Sequence, residues 1–215
     1  MSIARHHSEW LSLVEASGPF LSLPVLMQAF PQGLDAHDPE HLRNVRIAHE
    51  QWEDNGQERR PDPAIHRAWV EFVLLETLRF PEEVLLQGQQ MPADLNATAA
   101  EHGETLRPDW VVVNPVGTTD AGKARLLIQI VPAGQGLDKP LAERHWKASP
   151  STRMMELLHA TGVRLGLVTN GHQWMLVNGE LSAKWRDVSD WSSLGLLPKY
   201  RFRFGGSSHG FVGCR

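Results

Sequence analysis

The sequence predicts an α+β protein: a helical N-terminal segment followed by a core whose mixed central sheet is flanked by helices. Three observations predict it. Apolar residues recur at helical spacing as far as about residue 78, then give way to short runs of β-branched residues. Asp-Pro or Ser-Pro pairs stand where the main helices should begin. Asn-Gly pairs divide the last strands, as expected of tight hairpins. The 215 residues suffice for one large domain with an extension. The pattern divides them into a helical extension over 1–62, a core over 63–190 and a C-terminal tail over 191–215.

Taken in order, residues 8–15 place apolar side chains at positions 10, 11, 13 and 14 and predict a short helix with Ser8 as its cap, broken by Gly18-Pro19. Residues 23–30 predict another, with Ser22 as cap and Pro24 in the first turn. Asp38-Pro39 opens a longer helix to about Asp54, with Leu42, Val45, Ala48 or His49, and Trp52 on one face and Asn55-Gly56 as its stop. Asp62-Pro63 repeats the start signal for a strongly apolar helix over 63–78, with Ile65, Trp69, Phe72, Val73, Leu75 and Leu78. A short strand is expected at 84–86, and 87–100 reads as a connecting loop.

From Trp110 the period changes. Residues 110–113 and 126–131 are apolar strands, and Thr118 to Lys123 between them predicts an antiparallel hairpin. Ser149-Pro150 caps a helix reaching about Ala160, ended by Gly162 in the left-handed conformation. Residues 164–169 form a strand that turns at Asn170-Gly171 into 172–177. A second turn at Asn178-Gly179 leads to a third meander strand over 180–185. The small and polar residues 205–215 read as frayed.

Charge is unevenly distributed. Residues 1–106 carry 7 Lys+Arg against 17 Asp+Glu, and residues 107–215 carry 14 against 8. The basic half admits a nucleic-acid face, although its cations are scattered rather than clustered; differing surface charge on packed subdomains is the plainer account. The single cysteine, Cys214, excludes an internal disulfide and a cysteine-based zinc site. No apolar run reaches the roughly 18 residues of a membrane span, and the N-terminus lacks the apolar core of a signal peptide, so no membrane partner and a cytoplasmic location are expected. Of the eleven histidines, His6-His7, His37, His41, His49 and His66 are spread over separate helices, and His37/His41 and His145/His159 lack a complete ligand set; the histidines read as satisfied or exposed side chains. The eight tryptophans read as core, with Trp174 and Trp185 on the meander kept as stacking candidates.

Metal-dependent phosphodiester cleavage needs oxygen ligands for Mg²⁺ and a group that activates water. An economical layout puts an Asp at one strand's mouth and an acid and a Lys two residues apart on the next strand, so that both share one face. Asp109 sits where the first acid belongs. Gln129 holds the second acid's place and offers a carbonyl oxygen, while Val131 holds the lysine's place and offers nothing. The alternative is that Asp109 caps a turn and Gln129 is an ordinary strand residue.

Arg107-Pro108-Asp109-Trp110 is similar to the first motif of the PD-(D/E)XK, or restriction-endonuclease-like, fold. Arg153, Leu157, Leu158, Thr161-Gly162, then residues 165–171 (LGLVTNG) and Trp174, resemble the helix, strand and hairpin that follow that fold's second motif. Within the group, residues 63–180 most resemble the N-terminal nuclease-like domain of Type I restriction R subunits and of nuclease–methyltransferase fusions. The resemblance implies a restriction-endonuclease-like core in a bacterial restriction or phage-defence system, with DNA and larger methyltransferase or translocase subunits as partners. It implies Asp109 and Gln129 as metal ligands and catalytic residues, joined by a helix acid (Glu71 or Glu76), with Mg²⁺ as the ion of an active member. Active members carry Glu- or Asp-x-Lys where this chain has Gln129-Ile130-Val131. The implied activity is therefore that of a divergent, degenerate domain that binds DNA or assembles. The alternatives are an active Mg²⁺-dependent endonuclease with a relocated base and a protein-interaction scaffold. Lys147 and Arg153 are the cations that would supply charge or contact DNA; both can equally be solvated surface residues.

Overall fold

The computed structural model describes residues 8, 11, 15–17, 23–33, 38–142, 144–179 and 199–203. Four helices are described: α1 (Leu23–Ala29), α2 (Pro39–Gln57), α3 (Pro63–Phe72) and α4 (Pro150–Thr161). Nine strands accompany them: β1 (Glu15–Ser17), β2 (Leu85–Gln87), β3 (Ala97–Ala99), β4 (Glu104–Leu106), β5 (Trp110–Val113), β6 (Ala124–Ile130), β7 (Leu165–Thr169), β8 (Gln173–Asn178) and β9 (Lys199–Arg203). The class is α+β, as the sequence predicts.

Side-chain capping starts the three longer helices. The Asp38 carboxylate accepts from Glu40 N at 2.9 Å, Asp62 from Ala64 N at 2.8 Å and Ser149 Oγ from Thr152 N at 3.2 Å, each satisfying a donor that the first turn leaves unpaired. Gly162 ends α4 at φ 71°, with its N–H on Leu158 O. Asn55-Gly56 does not stop α2, which runs on to Gln57. Asn55 instead turns inward, donating Nδ2–H to Asp62 O (3.1 Å) and accepting Asp62 N–H on Oδ1 (2.8 Å), and so clasps α2 to the start of α3. The α3 pattern extends as expected, but 73–77 widen into a π-helical turn that ends with Arg79 at φ 53°.

One seven-stranded mixed sheet, in the order β1-β9-β8-β7-β6-β5-β2, organises the molecule, and β3 and β4 form a separate pair. β5 and β6 are the predicted antiparallel hairpin, and β6 pairs with β7 in parallel after crossing over through α4. Burial on both faces explains the unbroken apolar run in β5, in which all four residues are buried. The two faces can be told apart. A Cβ on Gly166 of β7 would collide with the Met154 side chain of α4, so the face carrying Gly166, Leu127 and Gln129 lies under α4. The Arg67 guanidinium of α3 lies 5.4 Å from the Trp110 ring, which places α3 over the opposite face.

Three expectations are corrected, and a fourth falls outside the described residues. Ser8 and Leu11 are helical, as expected of 8–15, but Glu15 at its end belongs to a strand, and β1 pairs with β9. The region given to a C-terminal tail contributes β9, which takes the outer edge of β8 from Gln173↔Arg203 to Val177↔Lys199. An uncovered edge there would leave a row of backbone N–H and C=O groups unpaired. The third meander strand expected over 180–185 lies outside the described residues. Within the expected loop 87–100, Ala97–Ala99 pairs with Glu104–Leu106 around Gly103 at φ 64°.

Candidate functional site

Asp109 stands at the mouth of β5. Its N–H donates to Ile128 O at 2.8 Å and its Oδ2 accepts the Ile130 N–H at 2.7 Å, so the residue brackets Gln129 from the neighbouring strand. The carboxylate substitutes for a backbone acceptor where the ladder runs out. Burial pushes the Asp109 carboxyl above its usual range, against the pull of the Ile130 N–H and of Arg67. Gln129 is partly buried, and its Oε1 is enclosed without a hydrogen-bond partner. Val131 is core, 5 % exposed; its N–H donates to Thr169 O and its carbonyl holds His66 Nε2 at 2.9 Å.

The remaining expected residues disperse. Glu71 is half-buried on α3, one turn beyond Arg67, and among the described residues no hydrogen bond or ion pair joins it to Asp109 or Gln129. Glu76 is exposed on the π-helical turn. Lys147 is exposed in the loop before α4. Arg153 is not a surface cation. It is 5 % exposed, paired through Nη2 with Glu104 Oε2 and through Nη1 with Trp146 O, with its guanidinium 5.2 Å from the Trp146 ring. Arg153 in turn holds the Glu104 carboxyl below its usual range. A guanidinium so enclosed cannot reach a phosphate, so the DNA-contact role expected of Arg153 is set aside. Its physical role is to clamp α4 to β4 and to the loop at Trp146.

Mg²⁺ would require several anionic or carbonyl oxygens around one point. Here one Asp109 oxygen is committed to a backbone amide, burial disfavours its charge, Gln129 is neutral, and the lysine position is a buried valine. The residues at this site do not fit a hydrolytic Mg²⁺ centre.

The most constrained constellation lies instead at the β7–β8 hairpin. Thr169 pairs with Trp174, and Asn170 N–H donates to Gln173 O, so Gly171 and His172 are the central pair. The turn is displaced by one residue from the expected Asn170-Gly171. Asn170 lies at its base, where Oδ1 accepts from His172 N (3.1 Å) and Gln173 N (2.7 Å) and Nδ2 donates to Gln135 O (2.8 Å). Thr169 Oγ1 accepts Gly171 N–H and donates to Gln173 O. The Gly171 carbonyl accepts two indole N–H groups, from Trp69 at 3.0 Å and Trp174 at 3.2 Å. Trp174 is therefore core, 3 % exposed, and not a stacking platform; Trp185 lies outside the described residues.

Aromatic side chains from α2 and α3 enclose this hairpin. Trp52 stacks on Trp69 at 5.9 Å and meets His172 edge-on at 4.4 Å. Trp52 Nε1 donates to His66 Nδ1 at 3.0 Å, and since Val131 O can only accept, His66 must be the neutral tautomer with its proton on Nε2. Burial lowers the basicity of His66, consistent with that assignment. The sequence signal for this cage was the LVTNG segment together with the Trp and His residues of the two Asp-Pro helices. Their convergence depends on the tertiary fold, which no local spacing reports.

No family model, curated protein or solved structure matches this chain.

Proposed function

We propose that this chain is a divergent restriction-endonuclease-like domain that has lost cleavage and works by binding, either to DNA or as an assembly module within a bacterial restriction or phage-defence system. The order β5, β6, α4, β7 and then the β7–β8 hairpin, in one mixed sheet, supports the fold reading, because the resemblance implies two strands followed by a helix, a strand and a hairpin. The observation that carries the loss of cleavage is Val131. The position that needs a lysine is a 5 % exposed valine whose carbonyl is engaged by His66. Partnership with DNA is supported by the loop before α4, where Lys139, Arg144 and Lys147 are all exposed.

The test is fluorescence anisotropy of labelled duplex DNA across a salt series, with a parallel cleavage assay in Mg²⁺. The reading expects binding that weakens steeply with salt, no cleavage, and a salt slope that falls by about one unit in Lys147→Ala. Mg²⁺-dependent nicking abolished by Asp109→Ala would instead establish an active nuclease. Absence of DNA binding would sink the DNA arm, and a salt-insensitive protein complex would then assign the fold to scaffolding.

A further inference from the structure

His49 and Glu53 lie one turn apart on α2, and the hairpin brings His172 against them. One ring nitrogen of each histidine and one Glu53 carboxylate oxygen lie within 4.8 Å of one another. His49 is 9 % exposed, with its ring 5.5 Å from Trp52 and 5.3 Å from Trp69. Its Nδ1 stands 3.7 Å from Glu53 Oε2, too far for a hydrogen bond, and its Nε2 is buried without any partner. A buried imidazole normally has both nitrogens satisfied. In His49 the buried Nε2 has no partner, and Nδ1 faces the Glu53 carboxylate at 3.7 Å, with a second imidazole beside them.

We infer that His49, Glu53 and His172 form a binding site for a divalent transition-metal ion, with Zn²⁺ best matched to two imidazoles and a carboxylate. Ligand atoms around a tetrahedral Zn²⁺ with bonds of ~2.0–2.1 Å stand about 3.4 Å apart. The 3.7 Å separation of His49 Nδ1 and Glu53 Oε2 is already close to that value, and all three ligand atoms lie within 4.8 Å of one another. Three protein ligands leave a fourth position for water, on the side where the Glu53 side chain is 46 % exposed. The surroundings are those of a supported site. Trp52 braces His172, and Asn170 and Thr169 fix the turn that carries it. Such an ion would clip α2 to the β7–β8 hairpin. The inference does not depend on the nuclease reading, since it uses neither Asp109 nor Gln129.

The test uses the full chain stripped of metal by a chelator. Calorimetric titration with ZnCl₂ should saturate at one ion per chain in the low-micromolar range, and CoCl₂ should give the intense visible bands of a four-coordinate site. Glu53→Gln and His172→Gln should each weaken Zn²⁺ binding at least ~10-fold, and the thermal midpoint should rise with Zn²⁺ in the parent chain but not in the double variant. Glu53→Gln, at a half-exposed position, serves as the deciding variant should His172→Gln disturb the hairpin. The proposal is overturned if the parent chain shows no saturable uptake. It is equally overturned if the double variant binds as tightly, which would assign the ion to other histidines.

Discussion

Replacing Gly171 with alanine tests whether the hairpin is gripped by its cage or merely lies beside it. Gly171 has φ +86°, and an added Cβ would stand 2.6 Å from Trp52 Cζ2 and 3.1 Å from both Trp52 Cε2 and His66 Cε1. Left-handed backbone costs a non-glycine residue about 1–2 kcal/mol. The Trp52 ring cannot yield cheaply, because it stacks on Trp69, donates to His66 and braces His172. Overpacking of a fixed neighbour adds about 1–3 kcal/mol. Gly171→Ala should therefore lose about 2–5 kcal/mol, or roughly 4–20 °C in thermal midpoint for a chain of this length. Gly117 is the control: it has φ +93° and no atom within 4 Å of an added Cβ, so Gly117→Ala carries backbone strain alone. The gain from a stiffer unfolded chain is common to both substitutions and drops out of the comparison. Urea unfolding followed by tryptophan fluorescence measures both variants. Equal losses for Gly171→Ala and Gly117→Ala would refute the cage.

Substitutions at three further sites have expected outcomes. Glu104→Ala strands the Arg153 guanidinium and should destabilise by about 3 kcal/mol, the low end for breaking a buried pair because Glu104 keeps some access to water. Because Arg153 depresses the Glu104 carboxyl in the folded state, that stability is present above the ordinary carboxylate range and is lost as pH falls through the lowered value; Glu104→Gln should remove this component from the acid limb of a stability–pH profile. At Asp109, Asn keeps an acceptor for the Ile130 N–H without a buried charge. Asp109→Asn should thus match or exceed the parent stability at pH 7, whereas Asp109→Ala orphans the amide and loses about 1–3 kcal/mol by urea titration. Asn55→Ala cuts both bonds of the clasp to Asp62 and should lose about 1–3 kcal/mol, read from the same titration.

What the sequence made legible was local. Asp38, Asp62 and Ser149 act as caps and Gly162 ends α4 because capping involves only a few neighbouring residues. The β5–β6 hairpin was legible for the same reason. The β7–β8 turn was found but misplaced by one residue, since Asn-Gly chemistry favours one register while the pairing of Thr169 with Trp174 fixes another. A helix pattern does not reveal that Glu104, far earlier in the chain, meets Arg153, so the sequence leaves that guanidinium open to DNA or to solvent. The same limit hid the cluster of His49, Glu53 and His172: two of its members are a helical turn apart, and the third arrives only through the hairpin. β9 was missed although its KYRFR sequence alternates polar and aromatic residues, because the weak pattern around it was read as tail.

The position of β9 between β8 and β1 also sets an order of events during synthesis. Among the described residues, the first strand, Glu15–Ser17, pairs only with Lys199–Arg201 of β9. A ribosome must therefore release nearly the whole described chain before its earliest strand has a partner. Until then the outer edge of β8 stays open to solvent, a template for any passing strand. The last described strand covers β8 and gives the first described strand its place.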